Sequence, residues 1–130
     1  MSALDATSPA QFIADFYTRF TEEVVHSDDP GAAMHRFYTP DVVQYSNGIR
    51  MDWDKLLAHT RPVRRNFPEG RIEVHQAVAD GDRIAAWMTF HAVSRQGRAV
   101  TTEAQMFAEF TPDGRMRRAH GLSRTVPEAE

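Results

Sequence analysis

The stretch from Arg83 to Phe110 constrains this chain more than any other. Between Arg83 and Val93 two sets of side chains alternate: Ile84, Ala86, Met88, Phe90 and Ala92, and Ala85, Trp87, Thr89, His91 and Val93. Successive side chains of a strand point to opposite sides, so this strand is apolar on both faces and has to be covered on both. From Arg98 to Phe110 one face is apolar (Thr102, Ala104, Met106, Ala108, Phe110) and the other mostly polar (Glu103, Gln105, Glu109). Two strands joined at Arg95-Gln96-Gly97 therefore form a long hairpin. Taking Gln96-Gly97 as a tight turn sets His91 opposite Thr102, Thr89 opposite Ala104 and Trp87 opposite Met106; a three-residue loop reverses this parity. With the tight turn, Trp87, Thr89 and His91 form the inner face. The Met88 and Phe90 face is then left to a second subunit.

The elements before the hairpin read as helices. Ser8-Pro9-Ala10-Gln11 supplies an N-cap, a proline at the first helical position and a capping-box glutamine. Phe12, Ile13, Phe16, Phe20 and Val24 recur along one stripe to about His26. Asp29-Pro30 opens a second helix with Met34, Phe37 and Tyr38 on its apolar side, and Asp52 caps a third from Trp53 to about Arg65, which Pro62 kinks or ends early. Asp41 to Tyr45 is a short strand before the turn Ser46-Asn47-Gly48. Arg71 to Ala79 and Arg115 to Val126 are strands on either side of the hairpin, and Met1 to Thr7 and the residues from Pro127 onward are loose tails. Helices first and a meander after indicate α+β, one domain over residues 1–130, with helices packed on one face of a sheet.

Other features narrow the classes. A formal charge of −3 argues against a nucleic-acid surface. The chain has no cysteine, so disulfides, thiol catalysis and zinc–thiolate sites are excluded. No apolar run is long enough to cross a bilayer, and the expected location is the cytoplasm. No element carries His or carboxylate pairs at metal-ligand spacing, and the seven glycines stand singly at turns, so neither a metal nor a phosphate-cradling loop is expected.

Three stretches carry a family resemblance: Phe37-Tyr38-Thr39-Pro40-Asp41, Asp80-Gly81-Asp82-Arg83-Ile84-Ala85 and Phe110-Thr111-Pro112-Asp113-Gly114-Arg115-Met116. With the element order, they resemble the SnoaL-like proteins of the nuclear-transport-factor-two-like superfamily. The resemblance implies a cone: a strongly curved antiparallel or mixed sheet wrapped around three N-terminal helices, an internal pocket, and a homodimer through the convex sheet face. It includes polyketide cyclases, ketosteroid isomerases, limonene epoxide hydrolases, dehydratases and proteins without chemistry, and fold alone does not choose among them. Where the isomerases carry their base and oxyanion-hole aspartates, Tyr45 and Met106 stand; their helix-one tyrosine falls near Phe20, with Tyr17 one turn off. Tyr45-Ser46-Asn47 matches the water-holding Tyr-x-Asn of the epoxide hydrolases, but Trp87-Met88-Thr89 replaces their Arg-x-Asp.

The candidate catalytic residues are His91, Tyr45 and His120, with histidine as the usual acid–base group near neutral pH. Candidate ligand contacts are Asn47, Trp87, Thr89, Met106, Tyr17 and His59. Three functions remain open: a cofactor-free cyclase, dehydratase or hydrolase acting on an apolar cyclic metabolite, a non-catalytic binder of a small apolar or aromatic ligand, and a dimerising accessory module with a vestigial pocket.

Overall fold

A computed structural model describes residues 2–127 of the chain. Three helices, α1 (Pro9–Phe20), α2 (Pro30–Met34) and α3 (Trp53–Asn66), pack on a six-stranded curved mixed sheet. Its strands are β1 (Tyr38–Ser46), β2 (Ile49–Asp52), β3 (Glu69–Asp80), β4 (Arg83–Val93), β5 (Ala99–Phe110) and β6 (Met116–Thr125), in the order β2-β1-β6-β5-β4-β3. Every pairing is antiparallel except β1 with β6. The α+β cone read from the sequence is the fold observed.

Local signals account for most boundaries. The Ser8 hydroxyl accepts from the Gln11 amide at 3.1 Å, which caps α1. The expected capping box does not close, because the Gln11 side chain donates forward to Asp15 instead. Asp29 and Asp52 cap α2 and α3 in the same way as Ser8. Pro62 neither ends nor shortens α3, which runs on to Asn66. The first helix changes to π geometry over Thr21–Val25, where the Thr21 hydroxyl bonds back to the Tyr17 carbonyl at 3.0 Å and the His26 amide reaches Thr21. The N-terminal segment is no loose tail: Ala3–Ala6 form a 3₁₀ turn, the Ala3 amide bonds to the Pro112 carbonyl at 2.8 Å and Leu4 is buried.

Aromatic side chains fill the centre of the cone. Phe16 meets Tyr17, Phe37, Tyr38 and Phe110 edge to face, with centroids between 5.2 and 5.9 Å apart. Ile13, Val24, Met34, Val42, Ile84, Met88 and Met116 are fully buried around them.

The central hairpin corrects one expectation with wide consequences. Ser94 pairs with Arg98, leaving the three-residue loop Arg95-Gln96-Gly97, with the Gly97 amide bonded to the Ser94 carbonyl and Gly97 at φ +79°. A left-handed glycine closing a three-residue loop is the alternative to a tight two-residue turn, and the extra residue shifts the pairing by one. Ala86 therefore faces Met106, Met88 faces Ala104 and Phe90 faces Thr102. Ile84, Ala86, Met88 and Phe90 point to the helices, and Met88 is buried rather than waiting for a second subunit. Trp87, Thr89 and His91 lie on the convex face, opposite to the face expected for them.

Candidate functional site

The convex face gathers most of the residues singled out for chemistry. His91 Nε2 lies 3.1 Å from Glu73 Oε1, across the β3–β4 pairing. A bulge in β3 between Val74 and Gln76 turns His75 onto the same side. There His75 Nε2 sits 2.6 Å from the Thr89 hydroxyl, and its ring packs against Trp87, tilted by 42° with centroids 4.6 Å apart. Trp87 Nε1 donates to Glu103 at 2.9 Å, and Arg124 Nε donates to the same carboxylate at 2.8 Å. Parallel pairing of β1 with β6 sets Tyr45 beside His120, their rings 6.2 Å apart and both exposed. A shallow depression of about 390 Å³, lined in part by Trp87, Phe107, His120 and Leu122, opens on this face.

His91, Tyr45 and His120 thus stand on the outside of the cone, and His91 is engaged with a surface carboxylate on β3, with β5 between its own strand and that of His120. Asn47 is spent on structure: at φ 52° it turns β1 into β2, its Nδ2 donates to the Ser123 hydroxyl at 3.0 Å, and its Oδ1 accepts from the Ser123 amide at 2.8 Å. His59 is exposed on α3. Thr89 is buried, but under His75 rather than in an interior pocket.

Two surface carboxyls on this face are held below their ordinary values. For Glu73 the chief cause is the hydrogen bond from His91; for Glu103 it is the one from Arg124, followed by the one from Trp87. A lowered carboxyl contributes stability that is present above the ordinary carboxylate range and is lost as pH falls through the lowered value. Trp87 emission should therefore change as pH drops below about 4.3, and Glu103→Gln should abolish the Glu103 part of that change. An acid titration of Trp87 fluorescence that is identical in wild type and variant would contradict this.

The concave wall has a different chemistry. Along β4 and β5 it is built from Ile84, Ala86, Met88, Phe90, Ala104, Met106, Ala108 and Phe110, with no ionisable side chain among them. Two predicted ligand contacts do meet here: the Tyr17 hydroxyl, on α1, donates to Met106 Sδ at 3.4 Å. Phe90 packs edge to face on the Tyr17 ring at 5.2 Å. Burial pushes the Tyr17 phenol far above its ordinary value; burial does the same to Tyr38, and the neighbouring Tyr17 adds to the shift. On β1 the concave positions are Val42, Gln44 and Ser46; Gln44 Nε2 donates to the Ser46 hydroxyl, whereas Gln44 Oε1 is buried with no hydrogen-bond partner.

Gln44, Phe90 and Tyr38 were not singled out from the sequence. The signal was present in the parity of β1: an inward Val42 places Gln44 and Ser46 inward and Tyr45 outward. The polar groups on this side of the sheet are uncharged: two phenols, an amide and a hydroxyl. Protonated phenols and an amide do not supply a general base at neutral pH. Among the described residues no three His, Asp or Glu side chains are grouped to hold a metal ion, and no helix is long and apolar enough to cross a membrane.

A profile of the SnoaL-like domain matches residues 13–119. An uncharacterised Schizosaccharomyces pombe protein is 26% identical over 105 residues, which cover 81% of this chain and 77% of that protein. Among solved structures, IdmH from Streptomyces antibioticus, a proposed polyketide cyclase, superposes with a TM-score of 0.67 at 18% identity, covering 90% of this chain and 92% of its own. AclR from Streptomyces galilaeus, a proposed hydroxylase, gives 0.66 at 19% identity over 90% of this chain and 77% of its own. A nuclear-transport-factor-two-like protein of unknown function from an Exiguobacterium species gives 0.68 at 13% identity, over 87% and 98%. At these identities the structures establish a shared fold.

Proposed function

The chain belongs to the SnoaL-like domain family, and from that premise we propose that it binds a small, neutral, largely apolar cyclic molecule against the concave wall, with Tyr17 as the hydrogen-bond donor. The observation that carries this reading is a buried phenol whose partner is a thioether. Sulfur is a weak acceptor, and a buried polar group with unspent capacity calls for an explanation. A ligand carbonyl would satisfy the hydroxyl better, and the unpartnered Gln44 Oε1 on the same side of the sheet could receive a ligand hydroxyl. The wall of methionine, alanine and phenylalanine suits an aromatic or alicyclic skeleton.

Binding is favoured over acid–base catalysis because His91, Tyr45 and His120 point away from this wall. A cyclase-type reaction on such a ligand would have to rely on hydrogen bonding from Tyr17 rather than on proton abstraction by those residues. Prodan, a neutral naphthyl ketone whose emission reports hydrogen bonding, provides the test. Saturable binding is expected, weakened about tenfold by Tyr17→Phe. Equal affinity in wild type and variant would overturn the assignment of Tyr17.

Homodimerisation through the convex sheet face is part of the same proposal, but with other residues on that face than the sequence suggested. Met88 and Phe90 face inward; the convex face instead exposes Val78, Trp87, Phe107 and Leu122, at 60%, 40%, 73% and 62% of their full areas. Large apolar side chains gathered on one sheet face and rimmed by the pairs Glu73–His91, Glu103–Arg124 and Glu109–Arg117 suit a self-complementary contact.

A further inference from the structure

We propose that Met106 is a movable stopper on the Tyr17 hydroxyl, occupying the place that a ligand oxygen takes, and so selects ligands by the strength of their acceptor. This rests on the ligand-binding reading above. The Tyr17 Oη to Met106 Sδ contact of 3.4 Å is what an unliganded donor settles for in an apolar interior. The two sides of the contact are not equally fixed. The Tyr17 ring is held by Phe90 and by Phe16, and its backbone carbonyl is gripped by the Thr21 hydroxyl where the helix widens into π geometry.

Met106 has small neighbours on both flanks. The residues directly opposite it are Ala86 on β4 and Gly121 on β6, both without a side chain beyond Cβ. A Cβ at Gly121 would stand 3.3 Å from Met106 Cβ and 3.3 Å from the Gln105 carbonyl oxygen, closer than ordinary contact, so any side chain there would press on the methionine. Neither neighbour has a long side chain to pin it, and an unbranched thioether with three rotatable bonds changes rotamer at little cost. The displaced bond is weak, and a ketone, ester or ether oxygen replaces it with gain. A hydrocarbon of the same shape would leave the phenol with no partner at all and is rejected on that account. The ligand class is thus narrowed to neutral molecules that place an oxygen acceptor near the end of the α1 helix.

Prodan affinity is compared in wild type, Met106→Leu, Tyr17→Phe and the double variant, with a second arm in the ligand-free protein. Met106→Leu keeps the volume and removes the sulfur, so binding is expected to tighten about fivefold, and this gain should vanish in the Tyr17→Phe background. Gly121→Ala should weaken binding by a similar factor by pinning the methionine. In the free protein the Met106 methyl carbon is expected to show the averaged shift of a thioether sampling several rotamers. A single-rotamer shift, or an equal effect of Met106→Leu with and without the Tyr17 hydroxyl, would overturn the stopper even where prodan binds. Failure of wild type to bind prodan, with an averaged methyl shift, would instead remove the ligand reading and the stopper's purpose with it.

Discussion

Phe110→Ala is expected to cost about 3–5 kcal/mol of stability, the largest effect of any single truncation in this chain. Phe110 is 1% exposed and ends β5, where its ring meets Phe12 at 4.9 Å and Phe16 at 5.4 Å, both edge to face. Its backbone amide bonds to the Asp82 carbonyl, and the residue pairs with fully buried Met116 across an irregular register. The side chain thus joins α1 to the sheet at a point where backbone hydrogen bonds prevent collapse into the vacated space. A cavity there forfeits both transfer energy and aromatic contacts. Against a typical domain stability of about 5–15 kcal/mol, such a loss should lower the melting temperature by roughly 10–20 °C. Calorimetry showing a loss below about 1 kcal/mol would mean that α1 does not depend on this contact.

The second large effect concerns association rather than folding. Phe107→Arg should weaken self-association by at least about a hundredfold, because a central apolar anchor becomes a charge that must be desolvated on both copies. Phe107 is 73% exposed and sits beside the depression formed with Trp87, His120 and Leu122. It lies outside the buried core, so the melting temperature extrapolated to low protein concentration should hardly move. Sedimentation equilibrium separates these outcomes. A wild-type protein that is monomeric at tens of micromolar, or a variant that associates as tightly as wild type, would contradict the dimer.

Much of the cone could be read from residues whose local chemistry has few alternatives. Ser8, Asp29 and Asp52 fixed helix starts because a side-chain oxygen before an apolar stripe has one good use. The period-two pattern of β4 and β5 gave the hairpin. What the pattern could not give was which face turns inward, since β4 is apolar on both sides and its facing depends on whether two or three residues make the loop. Arg95-Gln96-Gly97 allows either count, and that single residue moved Trp87, Thr89 and His91 from the concave to the convex face. The bulge at His75 added a second shift of the same kind, and β2, only Ile49–Asp52, was too short to announce itself. The inward placement of Tyr17 and Met106 was legible because neither depends on the hairpin parity alone: one lies on a helix stripe, and the other on the single clearly apolar face of β5. Gln44 was passed over because its neighbour Tyr45 matched a motif of a related enzyme.

The decisive measurement is a methyl and indole NMR titration with prodan. Methionine methyls and tryptophan indoles sample both sides of the sheet, with Met88 and Met106 on the concave wall and Trp87 on the convex face. The expected result is saturable shifts of the Met106 and Met88 methyls, with the Trp87 indole unmoved. Shifts confined to the Trp87 indole, with Met106 unaffected, would place the ligand outside the cone and contradict the account.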